Sequence, residues 1–267
     1  MKDIKIVFID LDGTLKDSNQ KISIRNKIIF EKLRSIGIQI VFTTGRSLPY
    51  TMALSKQFSS SNYVITSNGS EVYNYLNDNI IYSNFIKKDD LKTIGDLIKK
   101  YDLYFVANSF LKTYTNKTFD EPGRKVVSSL DDIMDENISQ LIVESFDIDK
   151  MKVFRRDISS CSSIKISNKS RNPQNSKKIL FYDITNSDVS KGNAIKILCD
   201  YLNVDISKTM AFGDSDNDLE MFEAVKIKVA VSNSNENLKN MADYVTLSND
   251  QDGVAIVLEN LYDELTK

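Results

Sequence analysis

The amino-acid sequence predicts an α/β protein: a Rossmann-like parallel sheet that carries an inserted α+β module. Apolar strand-like segments alternate with helical segments at both ends of the chain, and this alternation is lost in the middle. Clusters of polar residues directly follow several of the predicted strands. The chain has 267 residues, enough to bury one large core or two modest ones. Alternating strands and helices are typical of a parallel sheet with helices on its faces.

The first third of the chain follows the order strand, helix, strand, helix, strand. Its three predicted strands are short apolar runs, and a helix with apolar residues at helical spacing follows each of the first two. The predicted strands are 4–9, 38–42 and 63–66, and the predicted helices are 24–36 and one that continues to about Phe58. Gly37 suits the end of the first helix, because glycine readily adopts the left-handed conformation found there.

The parallel pattern resumes near the C-terminus. The predicted elements alternate again between helix and strand: helix 191–201, strand 209–212, strand 228–231, helix 235–241, strand 244–246 and helix 252–265. A further helix is expected between the strands at 209–212 and 228–231. The two ends of the chain therefore combine into one sheet.

The middle of the chain has no regular alternation. Residues 72–84 resemble a polar hairpin, residues 88–100 an amphipathic helix, and short strands and turns follow to about 185. We therefore predict a discontinuous core, 1–83 plus 186–267, with an α+β module at 84–185. Within the module, Tyr101, Tyr104, Tyr114 and the basic run Lys177-Lys178 are interpreted as ordinary core aromatics and solvated charge.

Composition excludes several classes of function. The net charge of −2 and the pI of about 5.4 indicate neither a nucleic-acid partner nor a membrane surface. The chain shows neither a signal peptide nor a stretch of about 20 apolar residues. Cys161 and Cys199 are the only cysteines, which predicts no disulfide framework and a cytoplasmic location. With no histidine, the chain lacks a Ser-His-Asp triad and a His-ligated zinc.

Four polar clusters follow predicted strands: Asp10–Thr14, Thr43–Arg46, Ser67–Gly69 and Gly213–Asp218. Ligands of open parallel sheets bind outside the carboxyl ends of the strands. The four clusters are therefore expected to meet in space, although they lie far apart in the sequence.

Three aspartates in these clusters indicate a magnesium site. Asp10, Asp12 and Asp214 offer several oxygen ligands without a soft one, which is the ligand set that Mg²⁺ takes in proteins. Taken singly, the first cluster can be a plain turn after a strand. Residues 213–218 can be an acidic turn or a calcium loop, although the glycine and glutamate expected of a calcium loop are missing.

Four motifs, in order and at fitting distances over essentially the whole chain, make it resemble the haloacid dehalogenase superfamily, most closely its Cof-type phosphatases. The matching residues are Asp10, Asp12, Gly13 and Thr14; Thr44, Gly45 and Arg46; Lys191, Gly192 and Ala194; and Gly213, Asp214, Asn217 and Asp218. The resemblance implies a phosphatase that requires Mg²⁺ and acts on a small phosphorylated metabolite. It also identifies the insertion as a C2B-type cap domain that covers the active site and sets specificity.

The resemblance also implies the catalytic roles. Asp10 attacks phosphorus and binds Mg²⁺ through its other oxygen. Asp12 protonates the leaving oxygen and then activates water, while its backbone carbonyl binds the metal. Asp214 is the remaining metal ligand, and Lys191 neutralises the charge of the nucleophile and of the transferring phosphoryl group.

The remaining implied roles concern phosphate and the surroundings of the metal. Thr44 and the amide of Gly45 hold phosphate oxygens. Asp218 and Asn217 orient the metal site and Lys191 without binding the metal themselves. Asn217 also counts among the phosphate-binding residues.

Some assignments stay open. Thr43 is an alternative to Thr44 as the phosphate contact. Arg46 either forks onto phosphate or substrate, or anchors its helix. Asn68 either contacts substrate or forms a common Asn-Gly turn.

The two aspartates of the first motif are expected to differ in acidity. Neighbouring carboxylates should raise the pKa of Asp12, while Mg²⁺ and Lys191 keep Asp10 ionised.

Two other functions remain as alternatives. One is a phosphomutase of the same superfamily, and the other is a non-catalytic binding or regulatory protein on this scaffold. The sequence carries no signal for an oligomeric state.

Overall fold

The computed structural model describes residues 3–58, 60–117, 123–171 and 179–267. It divides into two compact units, which are Met1–Tyr82 with Ser190–Lys267, and Ser83–Val189. The second boundary lies a few residues beyond the predicted position, because the last strand of the inserted unit runs through Asn186. The Asn186 side-chain amide also donates to the backbone oxygen of Phe85 within that unit.

Fourteen strands are found in the described ranges. They are β1 (Ile6–Ile9), β2 (Gln39–Thr43), β3 (Tyr63–Thr66), β4 (Glu71–Asn74), β5 (Asn79–Ser83), β6 (Tyr104–Ser109), β7 (Lys112–Thr115), β8 (Arg124–Val126), β9 (Gln140–Ser145), β10 (Ile164–Arg171), β11 (Ile179–Asn186), β12 (Thr209–Gly213), β13 (Ile227–Val231) and β14 (Tyr244–Thr246).

Eight α-helices lie in the same ranges. They are α1 (Ile24–Ser35), α2 (Leu48–Gln57), α3 (Lys88–Tyr101), α4 (Ile148–Asp157), α5 (Lys191–Leu202), α6 (Leu219–Ala224), α7 (Glu236–Met241) and α8 (Gly253–Thr266). Across these described helices, none combines the length and the apolar character that a membrane crossing requires.

The first unit is built on an eight-stranded sheet in the order β14-β13-β12-β1-β2-β3-β4-β5. The pairs from β14 to β3 are all parallel, and β4 joins β3 antiparallel. The predicted Rossmann-like parallel sheet is therefore confirmed. Ile9, the last residue of β1, pairs with Phe212 of β12 on one side and Phe42 of β2 on the other. This register brings the carboxyl ends of the three central strands to one edge of the sheet.

Helix α1 begins and ends as the sequence predicts, but it buries only part of the predicted apolar set. The Ser23 side chain accepts from the backbone of Asn26 at the start, and Gly37 follows the end at φ +85°. The buried apolar residues are Ile29, Phe30 and Leu33. The apolar residues at helical spacing in the sequence are Ile24, Ile28, Ile29, Leu33 and Ile36. Ile29 and Leu33 are buried as this spacing predicts, whereas the other three are exposed.

The hairpin predicted at 72–84 is present, but it is not a polar appendage. Strands β4 and β5 extend the main sheet beyond β3. All four residues of β4 are buried, including the carboxylate of Glu71, which accepts from Thr66 and Ser67. Polar side chains bonded to one another inside the fold explain why a polar sequence lies in a buried strand.

The inserted unit has a six-stranded sheet in the order β10-β11-β9-β6-β7-β8, and its pairs are antiparallel except for β7 with β8. Helices α3 and α4 pack on one another, and α4 also packs on β9 and β11. Leu91 and Ile94 of α3 and Phe154 of α4 share a core with Phe105 of β6 and Val143 of β9. The unit thus has its own apolar core, and the predicted α+β character is confirmed.

The tyrosines of the insertion differ in their surroundings. Tyr114 is buried in the core, the hydroxyl of Tyr101 donates to Asp157, and Tyr104 is exposed. The interpretation of these tyrosines as core aromatics is therefore right for Tyr114 and wrong for Tyr104. The basic run Lys177-Lys178 lies outside the described residues.

Gly192 lies where α5 packs closely against α6, and replacing it should destabilise the protein. A Cβ at this position would lie 2.1 Å from the backbone oxygen of Glu220, so α5 and α6 approach closely only at a glycine. Gly192→Ala should lower the free energy of unfolding by about 1–3 kcal/mol, because overpacking outweighs the better helix propensity of alanine. Urea denaturation measures the change. Asn193→Ala, at the exposed next position, should change stability by less than about 0.5 kcal/mol; equal effects would contradict the packing argument.

Candidate active site

Three predicted site segments meet at the carboxyl edge of the main sheet. Asp10 follows β1, Thr44 follows β2 and Asp214 follows β12. The backbone amide of Asp10 donates to Phe212 at 3.1 Å, and that of Thr44 donates to Ile65 at 2.9 Å, so the ladder of hydrogen bonds fixes each residue where its strand ends. Residues that are 200 positions apart in the chain thereby become neighbours.

Lys191 is the buried cation of the site. It begins α5, is only 1% exposed, and its Nζ lies 2.5 Å from Asp10 Oδ1 and 2.6 Å from Asp218 Oδ1. Asp218 is fully buried and Asp10 nearly so. A buried ammonium keeps its charge only when carboxylates compensate for the lost water, and the pair of aspartates supplies that compensation.

Asp218 is occupied on both of its oxygens. While Oδ1 accepts from Lys191, Oδ2 accepts from the backbone amides of Asp214 at 3.0 Å and Ser215 at 3.2 Å. A short 3₁₀ turn at Asp216–Asp218 brings the carboxylate back onto these amides. Asp218 therefore positions the loop that carries Asp214 as well as the ammonium of Lys191.

The Asp214 carboxylate is positioned by Gly13 and Thr14, two residues of the first motif. The Thr14 hydroxyl donates to Asp214 Oδ1 at 2.9 Å. Gly13 has φ +91°, and a Cβ there would lie 2.5 Å from Asp214 Oδ2. Both the positive φ and the close approach of the carboxylate require glycine at position 13.

Asp10 is surrounded by an excess of negative charge. Burial raises the pKa of Asp10 to about 8; Lys191 opposes this shift, whereas the carboxylates of Asp218 and Asp214 reinforce it. Burial lowers the pKa of Lys191, but Asp10 and Asp218 together raise it above its ordinary value. The lysine therefore stays charged between Asp10 and Asp218, while Asp214, which accepts from Thr14, adds negative charge nearby. Contrary to expectation, Lys191 alone does not offset the effect of burial on the pKa of Asp10.

Asp12 has the opposite surroundings from those predicted. Arg46 donates to both of its oxygens, from Nε at 2.6 Å and from Nη2 at 2.8 Å, and Lys16 Nζ lies 3.3 Å from Oδ1. Burial raises the pKa of Asp12, but the hydrogen bonds and charges of Arg46 and Lys16 lower it below its ordinary value. The expectation of a raised pKa is therefore wrong for this structure, because two cations, rather than carboxylates, contact the group. Arg46 was expected either to bind phosphate or substrate or to anchor its helix. In the structure its guanidinium instead binds both oxygens of Asp12.

Several of the predicted phosphate-binding residues are linked to one another by hydrogen bonds and close contacts. Thr44 Oγ1 accepts from the backbone amide of Arg46 at 3.2 Å, whereas the Thr43 hydroxyl donates back to Val41 within the strand. A Cβ on Gly45 would lie 2.8 Å from Asn68 Oδ1, and that same oxygen accepts from Asn217 at 3.2 Å. Segments from three different loops are thus linked around Gly45.

The residues present suit a divalent cation. Carboxylate oxygens of Asp10, Asp214 and Asp218 lie within 4.8 Å of one another. Since Asp218 is occupied by Lys191 and two amides, the carboxylates that could bind an ion are those of Asp10 and Asp214. Asp10 Oδ2 has no hydrogen-bond partner among the described residues. Hard oxygen donors and an excess of negative charge favour Mg²⁺ over a softer metal.

Sequence reasoning missed three residues that shape the site. Lys16 and Tyr50 lie beside Asp12, where Lys16 Nζ contacts both the Asp12 carboxylate and the Tyr50 hydroxyl. The Asn233 side chain donates to the backbone oxygen of Gly13 at 2.7 Å. Lys16 and Tyr50 lie outside the four polar clusters, and the sequence carried no signal for them. Asn233 lies two residues beyond β13, so the rule that ligands bind at the carboxyl ends of strands could have identified it.

The comparisons with known proteins agree on a family. The model of a family described as haloacid dehalogenase-like hydrolase matches residues 7–258. A 5-amino-6-(5-phospho-D-ribitylamino)uracil phosphatase, YcsE of Bacillus subtilis, is 29% identical over 255 residues, which cover 95% of this chain and 94% of that protein.

Solved structures share the fold. A haloacid dehalogenase-like hydrolase from Bacteroides thetaiotaomicron superposes with a TM-score of 0.86 at 22% identity, covering 97% of this chain and 99% of that one. A sugar phosphatase of haloacid dehalogenase subclass IIB superposes with a TM-score of 0.77 at 21% identity, covering 96% and 98%.

Asp218→Asn tests the dual role of that carboxylate. An amide has only one oxygen, so it cannot accept from Lys191 and from the two backbone amides at once. We expect a loss of about 1–3 kcal/mol of stability, the cost of a buried polar group without its partner, together with a large fall in turnover. Thermal or urea unfolding and a phosphatase assay measure the two effects. Asp216→Asn, two residues earlier and exposed, is the matched control; an Asp218 variant that behaves like it would contradict the assignment.

Proposed function

This chain belongs to the haloacid dehalogenase-like hydrolases, whose family model matches residues 7–258, and on that premise we propose that it hydrolyses a small phosphorylated metabolite through an aspartyl-phosphate on Asp10. The resemblance to Cof-type phosphatases is confirmed by the family match and by the subclass IIB structure. The chain is a phosphoric monoester hydrolase of this superfamily, and its named relative is a phosphatase.

One observation carries the mechanistic proposal. Asp10 projects from the end of the central strand with Oδ1 bound by buried Lys191 and with Oδ2 unengaged by any described residue. A carboxylate held in one orientation by a lysine, with a lone pair left over, has the geometry of a nucleophile. The position of Asp10 at the carboxyl edge of a parallel sheet is also the place where ligands of such sheets bind.

The first step forms the phosphoenzyme. A carboxylate oxygen of Asp10 attacks phosphorus, the bond from phosphorus to the leaving oxygen breaks, and Asp12 transfers a proton to that oxygen. Arg46 and Lys16 lower the pKa of Asp12 in this structure. Arg46 must therefore release Asp12, and Asp12 must take up a proton from solvent, before it can donate to the leaving oxygen. We propose that the incoming phosphate draws Arg46 away from Asp12.

The second step hydrolyses the phosphoenzyme and regenerates the free carboxylate of Asp10. Asp12, now a carboxylate, accepts a proton from water, and the water oxygen attacks phosphorus. The bond between phosphorus and the Asp10 oxygen breaks, and inorganic phosphate leaves. Water as the acceptor distinguishes this hydrolase from a phosphomutase, which would transfer the phosphoryl group back to a substrate hydroxyl.

The remaining residues bind and neutralise the phosphoryl group. Thr44 and the amide of Gly45 bind phosphate oxygens, and Asn68 and Asn217 support that loop. Lys191 offsets negative charge that builds up in the transition state. When bound by Asp10, Asp214 and the Asp12 carbonyl, Mg²⁺ supplies Lewis-acid stabilisation of the phosphoryl oxygens.

The substrate is proposed to be a small phosphorylated metabolite, such as a sugar phosphate or a phosphorylated cofactor. The residues named above contact only groups that every phosphate monoester shares. Selectivity for the rest of the substrate is therefore assigned to the inserted unit, as the Cof-type resemblance implies for its cap.

Removing the metal tests the assignment of Mg²⁺. Hydrolysis of an aryl phosphate should stop in excess chelator and return when Mg²⁺ is added, because without the ion the carboxylates of Asp10 and Asp214 repel the phosphate. Phosphate release is the measurement, and calorimetric titration of the chelated protein with Mg²⁺ measures binding independently of turnover. Full activity in chelator would reject the metal.

Asp10→Asn tests the nucleophile. The amide should abolish turnover, a loss of several orders of magnitude, because the other carboxylates are engaged or poorly placed to attack phosphorus. The fold should persist, since Asn fills the same space. Borohydride reduction of the phosphoenzyme, followed by peptide mapping, should mark Asp10. A mark on Lys191 or on a hydroxyl residue would overturn the mechanism.

A further inference from the structure

Lys16 is a second buried lysine beside the site. It is 1% exposed, and its Nζ contacts Asp12 Oδ1 at 3.3 Å and the hydroxyl of Tyr50. Tyr50 lies on α2, whereas Lys16 lies in the loop after β1. A lysine in this place is not needed to fill the core, because an apolar side chain of similar length would occupy the same volume without losing hydration.

The backbone that carries Lys16 is fixed. Its amide donates to Leu11 at 2.9 Å, and its carbonyl accepts from the Asn249 side chain at 2.7 Å. Asn249 is bonded in turn to Asn233, which holds the carbonyl of Gly13. The loop between Asp12 and Lys16 is thus fastened at two carbonyls, so the lysine approaches Asp12 from a fixed direction.

The two cations on Asp12 differ in freedom. The Arg46 side chain is 47% exposed, so it can turn to an incoming phosphate at little cost. The side chain of Lys16 is enclosed and cannot follow. When Arg46 leaves, Lys16 is the cation that remains on the carboxyl group.

We propose that Lys16 is a positioning residue that keeps the Asp12 carboxyl group directed at the leaving oxygen once Arg46 has turned to the substrate. The inference rests on the proposed role of Asp12 as the group that protonates that oxygen. It assigns no contact between Lys16 and the substrate. Lys16 is buried whereas the Asp12 side chain is 35% exposed, so Lys16 is the fixed member of the pair.

The test is the dependence of kcat/KM on the leaving group. Benzyl phosphate releases an alkoxide that needs a proton, whereas 2,4-dinitrophenyl phosphate releases a stable phenolate that does not. Lys16→Met should lower kcat/KM for benzyl phosphate by roughly 10- to 100-fold, part of the 10²–10⁴-fold that a general acid contributes, and for the dinitrophenyl ester by less than about threefold. The parameter kcat/KM covers steps up to departure of the leaving group, so hydrolysis of the phosphoenzyme does not enter.

Three comparisons make the result decisive. Lys239 is a partly exposed lysine paired with Glu236, and Lys239→Met should leave kcat/KM for both esters unchanged. Asp12→Ala should itself discriminate between the two esters; if it does not, the proposed role of Asp12 fails and the inference fails with it. The remaining outcome is that Asp12→Ala discriminates between the esters while Lys16→Met lowers kcat/KM equally for both, or for neither. In that case the inference alone is overturned. Lys16→Leu, which also lacks a donor, gives the same ratio should the methionine variant not fold.

Discussion

The buried ion pair between Lys191 and its two aspartates is the interaction on which the rest of the site depends. The ammonium is 1% exposed, and it contacts Asp10 and Asp218 within 2.6 Å. Loss of one partner in such a pair leaves a buried charge uncompensated, at a cost of about 3–5 kcal/mol. The ends of β1 and β12 and the start of α5 must therefore stay in register for the charges to remain compensated.

Glycine makes that arrangement sterically possible. Gly192 allows the turn of α5 that follows Lys191 to approach the backbone of α6, and Gly13 leaves room for the carboxylate of Asp214. Gly69 has the same function at a third place, where a Cβ would lie 2.3 Å from the backbone oxygen of Ser190, next to Lys191. Close packing in and around the site thus explains three of the nine glycines in the chain.

Charge is distributed unequally between the two aspartates of the first motif. Asp10 lies beside Lys191 and the carboxylates of Asp218 and Asp214, whereas Asp12 lies between a guanidinium and an ammonium. Two side chains of the same type, two residues apart, therefore have opposite electrostatic surroundings. That contrast suits a division of tasks between an attacking carboxylate and a group that exchanges protons with the leaving oxygen and with water.

The sequence by itself determined the parallel sheet, its interruption by an α+β unit, and the carboxylates at the strand ends. Periodicity and strand-end chemistry are local, so Asp10 and Asp214 could be named before any coordinates, whereas Lys191 was named from the resemblance to Cof-type phosphatases. Tertiary structure alone decided which face of α1 is buried, that β4 lies inside the sheet, and that Arg46 and Lys16 bind Asp12. Each of these depends on groups distant in the chain: Arg46 reaches Asp12 because β2 lies beside β1, and the hydrogen bonds and charges of Arg46 and Lys16 lower the pKa of Asp12. Local pattern specifies which chemistry is available, and packing specifies which charges face one another.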